Sequence, residues 1–230
     1  MSQRCFIVAI DGPAGAGKST VSKLLARRLG FSLVDTGAIY RCVALMATRE
    51  GIAYDDDARL GELLGRVRIH FEVVGEENRV FLGGEDVSGE IRSPEISMAA
   101  SQVSSRPVVR AGLLQLQRRL ALESAKGSIL EGRDIGTVVF PDADAKFFLE
   151  ASPEVRARRR FEELFQKGVE SSLDDVLADQ TKRDKDDSAR AVAPLKAAED
   201  AIRVDSSSMP LSGVVHSMEA EILRRLAARG

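Results

Sequence analysis

The segment Gly12-Pro13-Ala14-Gly15-Ala16-Gly17-Lys18-Ser19 lies between an unbroken apolar run, Cys5 to Ile10, and a stretch where Val21, Leu24, Leu25 and Leu29 recur at helical spacing. An apolar run without alternation is what a strand buried on both faces of a parallel sheet requires. Gly30 marks the helix end, because a residue without Cβ closes a helix in the left-handed conformation at no steric cost. Phe31-Ser32-Leu33-Val34, ending at Asp35, is a second strand candidate. This β-loop-α-β opening commits the chain to a doubly wound α/β sheet. The segment itself fits G-x-x-x-x-G-K-[ST], and its place after a strand and before a helix turns the pattern into a mechanism. Glycines let successive N–H groups converge on one phosphate, and the helix N-terminus adds a favourable dipole. Lys18 is suited to reach β- and γ-phosphates, and the Ser19 hydroxyl to ligate Mg²⁺. A nucleoside triphosphate site is therefore expected at Gly12, Pro13, Ala14, Gly15, Ala16, Gly17, Lys18 and Ser19, with Thr20 next in the helix.

Further along, Tyr40 to Glu50 and Ala58 to Gly65 read as helices. Arg68 to Val73 then alternates with period two, Glu76-Glu77-Asn78 has turn composition, and Arg79-Val80-Phe81-Leu82 is another strand candidate. An antiparallel meander of this kind is foreign to a parallel sheet, so an insertion is expected. Ser105-Arg106-Pro107 starts a helix with Val109, Leu113, Leu116 and Leu120 on one face. Ser128 to Gly132 and Ala145 to Leu149 are the third and fourth core strands. Ser152-Pro153 opens a helix running to Lys167, and Leu173 to about Arg190 is helical. Ala201 to Asp205 gives a fifth strand, and Val215, Met218, Ile222 and Leu226 a closing helix.

Composition narrows the function classes. A net charge of -2 from 33 Lys+Arg and 35 Asp+Glu gives no basic excess for coating nucleic acid or an anionic membrane. Apolar runs stop well short of the ~20 residues that span a bilayer, and no secretory signal pattern precedes Asp11. Two cysteines, Cys5 and Cys42, suit a reducing cytoplasm better than a disulfide framework. The Asn-Lys-x-Asp base tetrad of GTPases is absent and no expected core strand ends in the Asp-x-x-Gly of their switch, which leaves a kinase acting on a small acceptor.

Arg outnumbers Lys 25 to 8, and the planar guanidinium grips phosphate in bidentate fashion as lysine cannot. Phosphorylating a phosphate brings two anions together, so arginines are expected at loop ends facing the cradle. Arg41, in Asp35-Thr36-Gly37-Ala38-Ile39-Tyr40-Arg41, and Arg133, in Glu131-Gly132-Arg133-Asp134, both follow expected strands, where open α/β sheets bind ligands. Arg156, Arg159 and Arg160 share one helical face, opposite Ala157, Phe161, Leu164 and Phe165. They are expected to act on the moving phosphoryl group from a lid, or else to form a solvated face relieved by Glu162 and Glu163. Arg183, Asp187 and Arg190 share a face of the following helix, where an i,i+4 ion pair explains the first two equally well.

Together these blocks closely resemble the bacterial cytidylate (CMP) kinases. The resemblance rests on Ile10 to Thr20, Asp35 to Arg41, Gly84 to Arg92, Ala100 to Ser104, Gly132 to Pro141 and Arg190 to Leu195. It implies ATP-dependent, Mg²⁺-dependent phosphorylation of CMP or dCMP in pyrimidine nucleotide metabolism. The implied fold is a three-layer P-loop kinase core with a five-stranded parallel sheet, an antiparallel β insert in the acceptor-binding region and a helical lid. Residues 1–230 would form one core, with the acceptor region at about 38–106 and the lid at about 153–171. Carried over by position, Arg41 and Arg133 hold the CMP phosphate with Thr36 and Tyr40 nearby. Ser101, Arg110, Asp134 and Arg190 surround the cytosine, and Arg183 and Asp187 face the ribose. Family members often carry Ser at position 36, and Thr keeps the hydroxyl. Lys18, Arg133, Arg156, Arg159 and Arg160 are the catalytic candidates and Ser19 the metal ligand, with Asp35 and Asp134 open as a further metal-side carboxylate. A cytoplasmic monomer is expected, using ATP and CMP or dCMP and no nucleic acid or membrane. The rivals are a uridylate or shikimate-type kinase of the same architecture and a nucleotide-binding regulator.

Overall fold

The central strand β1 (Phe6–Asp11) is buried along its whole length, as its lack of alternation requires. A computed structural model describes residues 4–75, 77–166 and 168–229. These residues form two compact units: one runs to Phe31 and resumes at Lys126, and the other spans Ser32–Ala125. In chain order the elements are β1, α1 (Lys18–Leu29), β2 (Ser32–Asp35), α2 (Thr36–Arg49), α3 (Asp57–Leu64), β3 (Ile69–Val74), β4 (Glu77–Leu82) and β5 (Glu85–Asp86). Then come α4 (Pro94–Ser105), α5 (Pro107–Leu122), β6 (Gly127–Gly132), β7 (Ala145–Glu150), α6 (Pro153–Gln166), α7 (Leu173–Ala189), β8 (Ile202–Asp205) and α8 (Leu211–Arg229).

The five-stranded sheet has the order β2-β6-β1-β7-β8. β1 pairs in parallel with β6 and β7, and β7 with β8. The chain crosses from β6 over β1 to β7, so the loops after β1 and β6 open at the carboxyl edge where the winding reverses, the usual ligand position in such sheets. The register sets Asp11 opposite Gly132. Gly12 and Arg133, the next residues, therefore leave the sheet side by side. Helices α1 and α8 pack together and cover β6, β1 and β7. Among the described residues no helix is long and apolar enough to cross a membrane.

In the other unit β3, β4 and β5 form the antiparallel sheet expected from the meander. The expected turn is displaced: Glu77 and Asn78 belong to β4 and the bend uses Gly75 at φ 62, while Glu76 lies outside the described residues. Two helical expectations are also corrected. α2 begins at Thr36 rather than Tyr40, because the Asp35 carboxylate accepts from the Ala38 N–H at 2.9 Å and caps the helix directly off the strand. A Cβ on Gly37 would lie 3.1 Å from that same Asp35 oxygen. Helix α4 had no counterpart in the sequence reading. Its buried positions Ile96, Ala99, Ala100, Val103 and Ser104 keep helical spacing, but most are too small to read as an apolar stripe. The end of α6 expected at Lys167 lies outside the described residues.

Candidate active site

The phosphate loop is held open through its carbonyls. Carbonyls of Gly12 and Pro13 accept from Lys18 Nζ at 2.8 Å each, that of Ala14 from Arg156 at 3.0 Å, and that of Ala16 from Ser206 Oγ at 3.1 Å. Lys18 braces the first two carbonyls from within the loop, and Arg156 and Ser206 the other two from outside it. Carbonyls so occupied leave the loop's peptide N–H groups as its donors for an anion. Gly17, the N-cap of α1, has φ 93 and supplies no capping side chain, so the first N–H groups of α1 keep their donors for an anion. Gly12 admits no substitution: a Cβ there would sit 1.9 Å from the Leu149 carbonyl oxygen. Lys18 is 7% exposed. Burial first, and then the like charge of Arg133, push its pKa down to about 7.

Arg133, directly after β6, donates from Nε to Asp187 Oδ2 at 2.9 Å, and Arg190 reaches Asp187 Oδ1 at 2.5 Å. Burial pushes the Asp187 carboxyl up, but Arg133 and Arg190 outweigh it and hold the group below the ordinary carboxylate range. Because the folded value lies below the unfolded one, near 3.9, its stabilisation is complete above that pH and lost as pH falls through the folded value. We expect the melting temperature of Asp187→Asn to fall less steeply than that of the parent between about pH 4 and pH 2. Parallel slopes in thermal melts would show that the pair does not contribute.

The arginines of α6 already have protein partners. Arg156, 4% exposed, donates to the Ala151 and Ala14 carbonyls and pairs with Asp184 at 2.7 Å. Arg159 donates to the Ser206 carbonyl at 2.7 Å and to its hydroxyl at 3.1 Å, and Arg160 pairs with Glu163 at 2.8 Å. Charge crowding is thus relieved by Asp184 and carbonyl oxygens as well as by Glu163. The opposite face is less apolar in effect than expected: Ala157 is buried, whereas Phe165 is 75% exposed. α6 and α7 pack on each other.

In the second unit Thr36 opens α2 and is buried, and Arg41 lies in the second turn of α2 rather than in a loop beyond a strand. The Arg110 guanidinium lies 5.4 Å from the centroid of the Tyr40 ring and donates to the Ser104 carbonyl at 3.0 Å. Ser101 stands one turn before Ser104 on α4, and its carbonyl accepts from the Ser104 hydroxyl. Asp134 is 6% exposed and follows Arg133 directly.

Sequence reasoning missed two neighbours of the cradle. Ser19 Oγ donates to Glu131 Oε2 at 2.8 Å, and Glu131 is buried at the end of β6. Hydroxyl and carboxylate oxygens suit a hard cation such as Mg²⁺, which keeps water and phosphate among its ligands. Asp35 also caps α2 through Oδ1, and Glu131, bonded to Ser19, joins Asp35 and Asp134 as a candidate metal-side carboxylate. Its signal was present, since it immediately precedes Gly132-Arg133, but an acidic residue inside an apolar strand reads as a buried core group. Ser206, which joins Arg159 to the loop carbonyl of Ala16, had no sequence signal.

The model of the family described as cytidylate kinase matches residues 8–224. A cytidylate kinase of Geobacter sp. (strain M21) is 53% identical over 96% of this chain and 94% of its own length. That of Geobacter sulfurreducens is 53% identical over 97% and 95%, and that of Vibrio parahaemolyticus 47% identical over 99% and 100%. Agreement at this level runs through both units as well as the phosphate loop, and the chain belongs to the cytidylate kinase family.

Proposed function

We propose that the chain transfers the γ-phosphoryl group of ATP to CMP or dCMP, giving ADP and CDP or dCDP. The observation that carries this is the shared exit of Gly12 and Arg133 from neighbouring strands in register. An amide-lined phosphate cradle and a carboxylate-gripping guanidinium thereby begin one strand apart. Lys18 leaves the Gly12 and Pro13 carbonyls for the β- and γ-phosphates, and Arg133 exchanges Asp187 for the CMP phosphate. By their position in the family pattern, Arg41, Thr36 and Tyr40 are assigned to the same phosphate. Ser101, Arg110, Asp134 and Arg190 read the base, and Arg183 and Asp187 the ribose. Mg²⁺, when bound, neutralises charge on the triphosphate, and Ser19 with Glu131 are the groups that would hold it. No general base is needed, since the acceptor phosphate is already an anionic nucleophile. Arg156, Arg159 and Arg160 belong to a lid at about 153–171 that closes over the donor.

Cytosine follows from hydrogen-bond polarity. Its 4-amino group donates where uracil presents a carbonyl, so Asp134 accepts from one and repels the other. An unmatched buried polar pair costs on the order of 10⁴-fold in selectivity. On this reading the enzyme is a cytoplasmic monomer acting on dissolved nucleotides. A coupled assay offering CMP, dCMP, UMP, AMP and shikimate should give the fastest turnover with CMP or dCMP. Faster turnover with any other acceptor would transfer the chain to a rival kinase class, and slow ATP hydrolysis indifferent to CMP would make it a regulator.

A further inference from the structure

The turn that follows Arg133 and Asp134 is capped from a different strand. Residues Ile135–Val139 form one π-helical turn, closed by the Phe140 N–H on the Ile135 carbonyl at 2.7 Å. Its leading N–H groups, from Ile135 and Gly136, donate to Asp11 Oδ1 at 2.8 Å and Oδ2 at 2.7 Å. Asp11 ends β1 and is 3% exposed. Asp134 stands at the N-cap, where an aspartate ordinarily makes these bonds itself, yet its side chain makes no capping bond. The turn is gripped from its other side too. A Cβ on Gly136 would lie 3.2 Å from Lys146 Cδ and 3.4 Å from Asp11 Oδ2. Lys146 is fixed by the Pro141 carbonyl at 2.5 Å and Asp200 at 2.9 Å.

We infer that Asp11 is a positioning residue for the acceptor: by capping the 135–139 turn it spares the Asp134 carboxylate that task and fixes the backbone from which Arg133 and Asp134 project. This rests on the CMP kinase reading above. A residue that merely supported the end of β1 would act first on the donor loop, which starts at the adjacent Gly12. The two roles therefore predict different losses.

Asp11→Asn tests it, because the amide keeps one acceptor oxygen and turns an NH₂ group toward the second N–H. Calorimetric titration should show CMP bound about tenfold more weakly or worse, and ATP altered by less than about threefold. The UMP-to-CMP rate ratio should rise as Asp134 turns back to cap its own helix. Equal weakening of both nucleotides, or unchanged CMP affinity and ratio, would overturn the role. Gly136→Ala crowds the same turn chiefly from the Lys146 side, leaves the Asp11 carboxylate chemically intact with the new methyl against its Oδ2, and should move CMP affinity and the ratio in the same direction by less. If Asp11→Asn does not fold, Gly136→Ala decides: a loss confined to CMP upholds the role, and a parent-like titration overturns it. The unsubstituted enzyme, assayed in parallel, separates the failures. No phosphorylation of CMP by it would remove the functional reading, whereas parent-like Asp11→Asn in an active CMP kinase would remove only the positioning role.

Discussion

Lys18→Ala should lower kcat by about 10³-fold while leaving CMP affinity within a few-fold of the parent. The ammonium group is nearly dehydrated and donates to the Gly12 and Pro13 carbonyls. Glu131 and Asp11 only partly offset its burial, so the cation gains from a further anion, and the charge developing on the β,γ-bridge supplies it as the bond breaks. Its interaction is then stronger in the transition state than in the ground-state complex, the condition for raising kcat. Because the buried charge is itself costly, the alanine variant should keep a melting temperature close to the parent's. Turnover measured at saturating ATP and CMP, with CMP binding followed calorimetrically, checks both halves. A kcat within tenfold of the parent would mean that this loop is not where the donor sits. A parallel loss of CMP binding would mean that Lys18 serves the acceptor.

The parallel core was legible because burial on both faces leaves an unmistakable trace: β1 is apolar up to Asp11, and β7 is apolar apart from Lys146 and its closing Glu150, neither with polar alternation. α1 was legible to the residue, since Lys18 follows the last loop glycine and Gly30 takes φ 66 at its end. α4 was not, because Ala and Ser fill helical positions that packing requires to be small. Nor was the early start of α2, where one hydrogen bond from a strand-end carboxylate removes the need for a loop. Within the site the covalent pattern of the cradle could be read, but its bracing could not. Asp11, Asp184 and Ser206 lie far in sequence from the groups they hold. Arg183 and Asp187 fall one turn apart on α7 as expected, but the helix stops at Ala189 and Arg190 follows it with ψ 134, while the partner that draws Asp187 inward, Arg133, comes from another element entirely.

Arg133→Ala should produce the mirror image of the lysine variant. CMP affinity should fall about 10²- to 10³-fold, the equivalent of one bidentate charge-assisted contact to phosphate at about 3–4 kcal/mol. ATP affinity should hold or improve, since Arg133 is the like charge that most depresses the Lys18 ammonium and its removal lets that cation meet the triphosphate at lower cost. Arg133→Lys should recover little, because a point charge does not reproduce the planar fork. One complication is that Arg133 also supports Asp187, which is 2% exposed. Losing one of two partners at a buried carboxylate destabilises the fold by about 1.5–3 kcal/mol, and a loosened fold could mimic a binding defect. Asp187→Asn separates the two effects: it removes the same ion pair, keeps at the ribose a side chain that still hydrogen-bonds, and leaves the guanidinium for phosphate. If Asp187→Asn melts as low as Arg133→Ala yet binds CMP far better, the arginine holds the acceptor directly. If both variants lose CMP equally, Asp187 and its ribose contact carry the loss, and Arg133 does not hold the acceptor phosphate directly.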